Sequence, residues 1–308
     1  MTTSKTILIT GATAGIGRTT ALHLASRGHR VIASGRKSDQ LASLREEAQK
    51  AGASIDTVLL DVTRAESIEL AVSEVDRITG GRGVDVLVNN AGYGLVGPLS
   101  EVTDADLRKQ YDTNVFGLMA VTRAFLPAMR ERRSGRIVNV SSMGGRMTFP
   151  FMGAYNSTKY AVESLSDALR AELQPFGIQV SLIEPGVIRT NFADTSMTFV
   201  DQYKDSPYKG AIAKAQRMRD LMEKTASGPQ VIAKAIRKAV ERRRPAARYV
   251  APFSTWFALL IKVLLPTRAW DWTMRRFSFL THKHLGMTGA PAAKTSRPSG
   301  THPSVRAA

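Results

Sequence analysis

The chain has 308 residues, with 43 lysine and arginine side chains against 26 aspartate and glutamate, and it contains no cysteine. Disulfides and thiolate metal sites are therefore excluded, and because the five histidines show no ligand spacing we expect no metal. The length suits one α/β domain with a large core. The first residues lead directly into a strand pattern without a signal sequence, which predicts a cytoplasmic protein.

Short apolar runs alternate with amphipathic segments over the first 250 residues. The runs that we predict as strands are 5–10, 30–35, 54–60, 84–88, 136–141, 178–183 and 247–250, and Asp61 would end the third. The predicted helices lie within 17–28, 41–51, 68–75, 104–133, 154–174 and 228–244. Apolar strands alternating with helices indicate a parallel sheet covered on both faces. With right-handed crossovers this predicts a single Rossmann-type, doubly wound α/β domain over residues 1–250.

A glycine-rich turn follows the first strand and opens the first helix, as Gly11-x-x-x-Gly15-x-Gly17. Small residues let the backbone approach a pyrophosphate, and the helix N-terminus offers free N–H groups. The second strand ends in Ser34-Gly35-Arg36-Lys37, with two cations and no acid at its tip. A carboxylate there would select NAD(H), so the sequence predicts NADP(H) in preference to NAD(H). Arg36 stacking on the adenine, or lying free in solvent, is the alternative.

Tyr155 and Lys159 stand four residues apart at the start of a helical pattern, so both side chains lie on one face. We expect the ammonium to lower the pKa of the phenol and prepare it for acid/base chemistry at a carbonyl or alcohol. Ser142 follows a strand and could hydrogen-bond the substrate oxygen. Asp61 could bind the adenine amino group, with a helix N-cap as its alternative.

These features together resemble the short-chain dehydrogenase/reductase family over roughly residues 4–250. The matching motifs, in family order, are Thr10-Gly11-x-x-x-Gly15-x-Gly17, Asp61-Val62, Asn89-Asn90-Ala91-Gly92, Asn114, Ser142, Tyr155-x-x-x-Lys159 and Pro185-Gly186-x-x-x-Thr190. The resemblance implies that Tyr155 is the proton donor in reduction and the acceptor in oxidation. Lys159 would hold the nicotinamide ribose, Ser142 would orient the substrate, and Asn114 would hold a water in a proton relay. Asn90 is the expected hydrogen-bonding side chain of its motif.

The predicted catalytic residues are accordingly Asn114, Ser142, Tyr155 and Lys159. The predicted cofactor-binding residues are Gly11, Thr13, Gly15, Ile16, Gly17, Arg36, Asp61, Val62, Asn90, Ala91, Gly92, Tyr155, Lys159, Pro185, Gly186, Ile188 and Thr190. Family members often dimerise through helices that match 104–130 and 154–174, so we expect a homodimer or homotetramer. Residues 187–225 are irregular and rich in Met, Phe and Tyr, which is typical of a flap over an apolar pocket or of surface helices.

Residues 203–308 contain 21 basic and 5 acidic side chains, whereas residues 1–202 contain 22 and 21. Residues 251–285 form a basic, amphipathic helical extension, too short in its apolar run to span a bilayer. It is compatible with an anionic membrane surface or with packing on the body or a partner subunit. Residues 286–308 are rich in Gly, Pro, Ser, Thr and Ala, which predicts a disordered tail.

The functional hypothesis is an NADP(H)-dependent oxidoreductase that interconverts an alcohol with a ketone or aldehyde on an apolar substrate. The extension resembles those of family members that act on retinoids, steroids or other lipids. The alternative is a non-catalytic NADP(H)-sensing regulator that uses the basic third on nucleic acid or membrane. No helix-turn-helix or zinc module is visible, so we expect no nucleic-acid partner.

Overall fold

The computed structural model of the protein describes residues 3–190, 192, 200–215, 217, 226–281 and 285. Within these residues the strands form a parallel seven-stranded sheet in the order β3-β2-β1-β4-β5-β6-β7. The strands are β1 Thr6–Ile9, β2 Arg30–Gly35, β3 Ile55–Leu59, β4 Val86–Asn89, β5 Gly135–Val140, β6 Ile178–Pro185 and β7 Arg248–Ala251. The doubly wound α/β fold predicted from the sequence is thereby confirmed.

The helices cover both faces of this sheet and continue beyond its last strand. They are α1 Gly15–Ala25, α2 Ser38–Lys50, α3 Ala65–Thr79, α4 Asp104–Tyr111, α5 Leu118–Glu131, α6 Gly153–Leu173, α7 Gln230–Glu241, α8 Phe253–Leu264 and α9 Thr267–Phe277. The predicted uninterrupted helix over 104–133 was wrong, because a π-helical turn, Asp112–Gly117, separates α4 from α5. The third strand ends at Leu59 rather than at Asp61. The predicted tail 286–308 lies outside the described residues.

The core consists of two apolar layers that follow from the alternation of side chains along each strand. In β1, Ile7 and Ile9 point into the layer beneath α1, α2 and α7, whereas Leu8 points into the layer beneath α3, α5 and α6. All three side chains are completely buried. The central strands are therefore apolar throughout, as the sequence pattern required.

The order of the strands places a crevice at the carboxyl ends of β1 and β4. β1 pairs with β2 on one side and with β4 on the other, so the connections leave β1 in opposite directions. Such a reversal is the point at which open α/β sheets bind their ligands. The glycine turn after β1 and the Asn89–Gly92 segment at the end of β4 both meet there.

Candidate active site

The glycine turn between β1 and α1 is packed so tightly that side chains are excluded. Gly11 has a φ of +63°, and a Cβ atom on it would lie 2.9 Å from the Cα of Ala91. A Cβ on Gly17 would overlap the carbonyl oxygen of Gly11. The N-terminus of α1 is thus left open to the crevice, with backbone N–H groups and a partial positive charge suited to a phosphate.

The turn is braced by Thr10 and Asn90. Thr10 Oγ1 accepts hydrogen bonds from the backbone N–H groups of Asn90, at 3.0 Å, and Ala91, at 2.9 Å. Asn90 Nδ2 donates to the carbonyl oxygens of Thr10 and Gly11. The Asn90 side chain therefore holds the glycine turn in place. Thr10 begins the glycine motif quoted above but was absent from the predicted binding set, because its bracing role depends on residues about 80 positions away in the chain.

The ends of β2 and β3 bring Arg36 and Asp61 together. Asp61 Oδ1 accepts from the backbone N–H of Thr63, at 2.9 Å, and from its hydroxyl, at 2.7 Å. Burial raises the pKa of Asp61, but these hydrogen bonds and the charges of Arg36 and Arg64 outweigh it and hold the pKa below its ordinary value. The N-cap of α3 is Arg64, so the N-cap alternative for Asp61 was wrong. Arg36 is exposed.

Tyr155 and Lys159 lie on the first turns of α6, with Ser142 directly after β5. Ser142 hydrogen-bonds the Tyr155 hydroxyl. The Nζ atom of Lys159 donates to the carbonyl oxygen of Val140, at 2.8 Å, and lies 5.8 Å from the centroid of the Tyr155 ring. Both side chains are buried, with 7% of Tyr155 and 6% of Lys159 exposed. Serine, tyrosine and lysine thus meet in one enclosed position.

Burial dominates the acid/base properties of this group. It raises the pKa of Tyr155 to about 12, against the opposing hydrogen bond from Ser142. It also lowers the pKa of Lys159 to about 8, an effect that the Glu163 carboxylate opposes. The expectation that Lys159 lowers the pKa of Tyr155 was therefore wrong for this structure. The ammonium lies by the face of the ring, and the phenolate would be poorly solvated. Tyr155 is protonated at neutral pH, as a proton donor must be.

The π-helical turn positions Asn114 behind this group. Asn114 Oδ1 accepts from the backbone N–H of Tyr93, and Nδ2 donates to the Tyr93 carbonyl oxygen and to Thr158 Oγ1, all within 3.1 Å. A Cβ atom on Gly92 would lie 3.0 Å from Asn114 Oδ1 and 3.8 Å from Lys159 Nζ. Asn114 thus joins the loop after β4 to α6, and its part in a water relay stays a prediction. π-helical turns frequently occur at functional sites.

The segment after β6 returns to the glycine turn. Thr190 lies against Gly15, where an added Cβ would be 3.4 Å from the threonine Cβ. Ile188 forms a β-bridge with Ser227 and packs against the core. Val62 is buried against Gly117 of the π-helical turn. The remaining predicted cofactor residues, Thr13, Ile16, Pro185 and Gly186, line the same edge of the sheet, where Thr13 also contacts Gly35.

Aromatic side chains pack on Tyr155 and on the neighbouring loops. The rings of Tyr155 and Phe192 are 5.4 Å apart at 60°, and those of Phe151 and Tyr208 are 6.0 Å apart at 76°. Tyr203 packs against Gly97. Several residues of the predicted flap, namely Met197, Phe199, Met218 and Met222, lie outside the described residues. Of those that are described, Phe192 lies against the Tyr155 ring.

The extension after β7 packs against the rim of this site. A Cβ atom on Gly186 would overlap the Thr255 side chain of α8. Leu259 of α8 and Trp270 of α9 form a buried cluster with Met147, five residues after Ser142. Among the described residues, no helix is long and apolar enough to cross a membrane, and no group of three or more His, Asp or Glu could hold a metal ion.

The arrangement of turn, switch point and Ser-Tyr-Lys group agrees with a comparison against protein families. The model of the short chain dehydrogenases matches residues 5–200. The chain belongs to the short-chain dehydrogenase family. The protein is therefore an NAD(P)-dependent oxidoreductase of that family.

Two curated relatives show how far the likeness extends. The uncharacterized oxidoreductase YbbO of Escherichia coli K12 is 37% identical over 268 residues, covering 87% of this chain and 93% of its own. The 3-ketodihydrosphingosine reductase of Bacteroides thetaiotaomicron is 35% identical over 266 residues, covering 86% and 92%. Both alignments extend well beyond the residues that the family model matches.

Solved structures of short-chain dehydrogenases contain either cofactor. Actinorhodin polyketide ketoreductase with NADPH is 29% identical, with a TM-score of 0.67, and the match covers 82% of this chain and 97% of that one. A family member from Burkholderia phymatum with NAD is 26% identical, with a TM-score of 0.72 and coverages of 95% and 98%. The fold of this short-chain dehydrogenase is thus compatible with both NADP(H) and NAD(H).

Proposed function

We propose that this short-chain dehydrogenase uses NADP(H) to interconvert a hydroxyl and a carbonyl group on an apolar substrate, with Tyr155 as acid and base. The observation that carries the proposal is the enclosed Ser142–Tyr155–Lys159 group beside an open helix N-terminus. A bound nicotinamide would supply the hydride in reduction or accept it in oxidation. The residues of the chain provide the proton and the orientation.

Each side chain has a role that follows from its position. The Tyr155 hydroxyl gives its proton to the substrate oxygen in reduction and takes it back in oxidation. Ser142, already bonded to that hydroxyl, orients the substrate oxygen next to it. Lys159, whose Nζ atom lies 5.8 Å from the centroid of the Tyr155 ring, would as an ammonium hold the nicotinamide ribose. The open N-terminus of α1, with Thr190 beside it, would bind the cofactor phosphates.

The preference for NADP(H) rests on Arg36. It directly follows the last residue of β2 and is exposed, and the tip of β2 itself carries no acid that would pair with a ribose hydroxyl. A guanidinium binds a 2′-phosphate through charge-assisted hydrogen bonds. The NADPH-bound ketoreductase supports the use of NADP(H) by this fold, and the preference itself rests on the charge at Arg36.

The proposal that the substrate is apolar rests on the aromatic side chains near Tyr155. The Phe192 ring packs on the ring of Tyr155, and Phe151, four residues before Tyr155, packs on Tyr208. The curated relative that reduces 3-ketodihydrosphingosine supports a ketone on a long apolar chain as the substrate class. A substrate of this kind partitions into membranes. We therefore propose that the enzyme is cytoplasmic and associates peripherally with a lipid surface.

We also propose that the enzyme is a homodimer that uses α5 and α6. Phe116, on the turn between α4 and α5, is 60% exposed, and Tyr160 on α6 is 43% exposed. Large apolar side chains exposed on adjoining helices are typical of an interface.

The test is a substrate screen at the absorbance band of the reduced nicotinamide. NADPH and NADH are each combined with aliphatic aldehydes, ketosteroids, retinal and 3-ketodihydrosphingosine. We expect turnover with NADPH, and higher kcat/KM for long-chain carbonyls than for short aldehydes. Tight NADPH binding without turnover of any carbonyl or alcohol would instead favour the cofactor-sensing regulator.

A further inference from the structure

The second-last helix of the described chain, α8, is apolar on both sides but is covered on only one. Thr255 and Leu259 face the body and are buried. The opposite side carries exposed large apolar residues, namely Phe253, Trp256, Phe257, Leu260, Ile261, Val263 and Leu264. Val263 and Leu264 are more than 70% exposed. Exposed apolar patches of this size mark interaction sites, and a helix that is apolar all round is normally buried.

The neighbouring helix α9 adds positive charge beside this apolar face. Arg268, Arg275 and Arg276 are exposed, and Arg276 lies 5.4 Å from the ring centroid of the exposed Trp272. Over residues 253–277 there are four basic side chains and one acidic, Asp271. Indole rings next to arginines suit the boundary between headgroups and acyl chains.

We propose that the exposed face of α8 together with the arginines of α9 docks on the surface of an anionic phospholipid bilayer. A helix of twelve residues is about 18 Å long, against about 30 Å of hydrocarbon, so α8 lies in the interface and does not span it. The charge selects this occupant: two copies meeting through the same face would bring arginines against arginines, whereas anionic headgroups complement them. The inference rests on the proposed function, because it gives the apolar substrate a source.

The docking surface is joined to the active site. Thr255 of α8 contacts Gly186, which follows β6 at the site. Leu259 and Trp270 pack on Met147, in the segment between Ser142 and Tyr155. The helix that would carry the docking surface therefore packs directly on two segments that flank the active site.

The chain offers a matched control for the charge. Arg242, Arg243 and Arg244 are also exposed, but they precede β7, at the opposite end of that strand from α8. Replacing either set of three arginines with glutamine removes the same charge from the full chain. If binding came only from general attraction between a basic protein and an anionic surface, both variants would lose the same affinity for vesicles. If α8 and α9 form a docking face, the variant in α9 would lose much more.

The test measures binding of the full-length protein to phosphatidylcholine vesicles with and without phosphatidylglycerol at about 30% of the lipid. All three tryptophans lie in α8 and α9, so their fluorescence reports the contact. With anionic vesicles we expect the tryptophan emission to shift to shorter wavelength and the protein to co-sediment. Added salt should weaken this binding. Substituting Arg268, Arg275 and Arg276 with Gln should weaken binding at least about tenfold, as should Val263→Gln with Leu264→Gln. The variant with Arg242, Arg243 and Arg244 replaced by Gln should bind anionic vesicles within about twofold of the wild-type affinity.

Equal losses in the two arginine variants, or normal binding by the Val263→Gln/Leu264→Gln protein, would overturn the proposal. A wild-type dimer that becomes a monomer in the latter protein would assign the face to a second copy. NADPH-dependent turnover without vesicle binding rejects the docking surface alone. Vesicle binding without any turnover leaves the docking surface in place and rejects the proposed function.

Discussion

Replacing Glu163 with glutamine is expected to lower the pKa of Lys159 and to shift the pH dependence of catalysis. Glu163 lies one turn after Lys159 on α6, and its carboxylate opposes the lowering of the lysine pKa by burial. Gly145 packs against this turn of α6, since a Cβ atom on it would lie 2.9 Å from the Lys159 carbonyl oxygen and 3.0 Å from Glu163 Cγ. Burial also raises the pKa of Glu163, and glutamine removes its charge while keeping its size.

The magnitude follows from the distance between the two charges. Side chains one helical turn apart are typically about 6 Å from each other, and unit charges at that separation interact by about 3 kcal/mol at an effective dielectric constant of about 20, which equals about 2 pKa units. Arg248 Nε donates to Glu163 Oε2 at 3.2 Å and offsets part of that charge. Glu184 and Asp167 complete the charged groups around Arg248. We therefore expect a shift of about 1 unit in the pKa of Lys159.

The assay is kcat/KM for carbonyl reduction as a function of pH. Reduction needs the Lys159 ammonium, so the rate falls as pH rises through its pKa. In Glu163→Gln the midpoint of this alkaline limb should move down by about 1 pH unit. Asp167→Asn is the control, because Asp167 binds the same Arg248 but its side chain is 44% exposed and lies a further turn away. Identical midpoints in wild type and Glu163→Gln would refute the reasoning.

Three further predictions concern stability, cofactor choice and assembly. Lys159→Met should raise the free energy of unfolding at pH 7 by about 1–2 kcal/mol, because the folded protein holds a pKa of about 8 where the ordinary value is 10.5. In denaturant titrations this gain should shrink as pH rises from 8 to 10.5, because over that range the wild-type lysine is neutral in the folded protein and charged only in the unfolded chain. A gain that stays constant with pH would argue against burial of a cation. Arg36→Asp should reduce the ratio of kcat/KM for NADPH to that for NADH at least about 100-fold, while Lys50→Asp leaves it unchanged. Phe116→Arg should convert the dimer to a monomer in light scattering, and Leu70→Arg, equally exposed on α3, should leave the dimer intact.

The fold and the position of the site could be predicted because they depend on local patterns. Apolar runs alternating with helices define a parallel sheet, and the glycine turn after β1 marks its switch point. The same holds for Tyr155 and Lys159, whose spacing places them on one face of α6 before any tertiary contact is known. Element ends were less well predicted, as with β3, which stops at Leu59.

Features set by tertiary packing could not be predicted in this way. The π-helical turn at Asn114 leaves the apolar periodicity of 104–133 almost unchanged, so the pattern indicates one helix. The pKa of Tyr155 depends on its enclosure by residues distant in sequence, such as Ser142 and Phe192. The contact of Thr255 with Gly186 likewise joins segments 69 residues apart. Each of these becomes visible only when the chain is folded.

The central claim is that Tyr155 transfers the proton, and the most direct measurement is NADPH oxidation in a single turnover by two tyrosine variants. Tyr155→Phe removes the buried hydroxyl, and Tyr160→Phe removes an exposed one from the next turn of the same helix. With the best carbonyl substrate, we expect the Tyr155 variant to lose at least about 100-fold in rate while it still binds NADPH. The Tyr160 variant should match wild type. A Tyr155→Phe enzyme that oxidises NADPH at the wild-type rate would contradict the account.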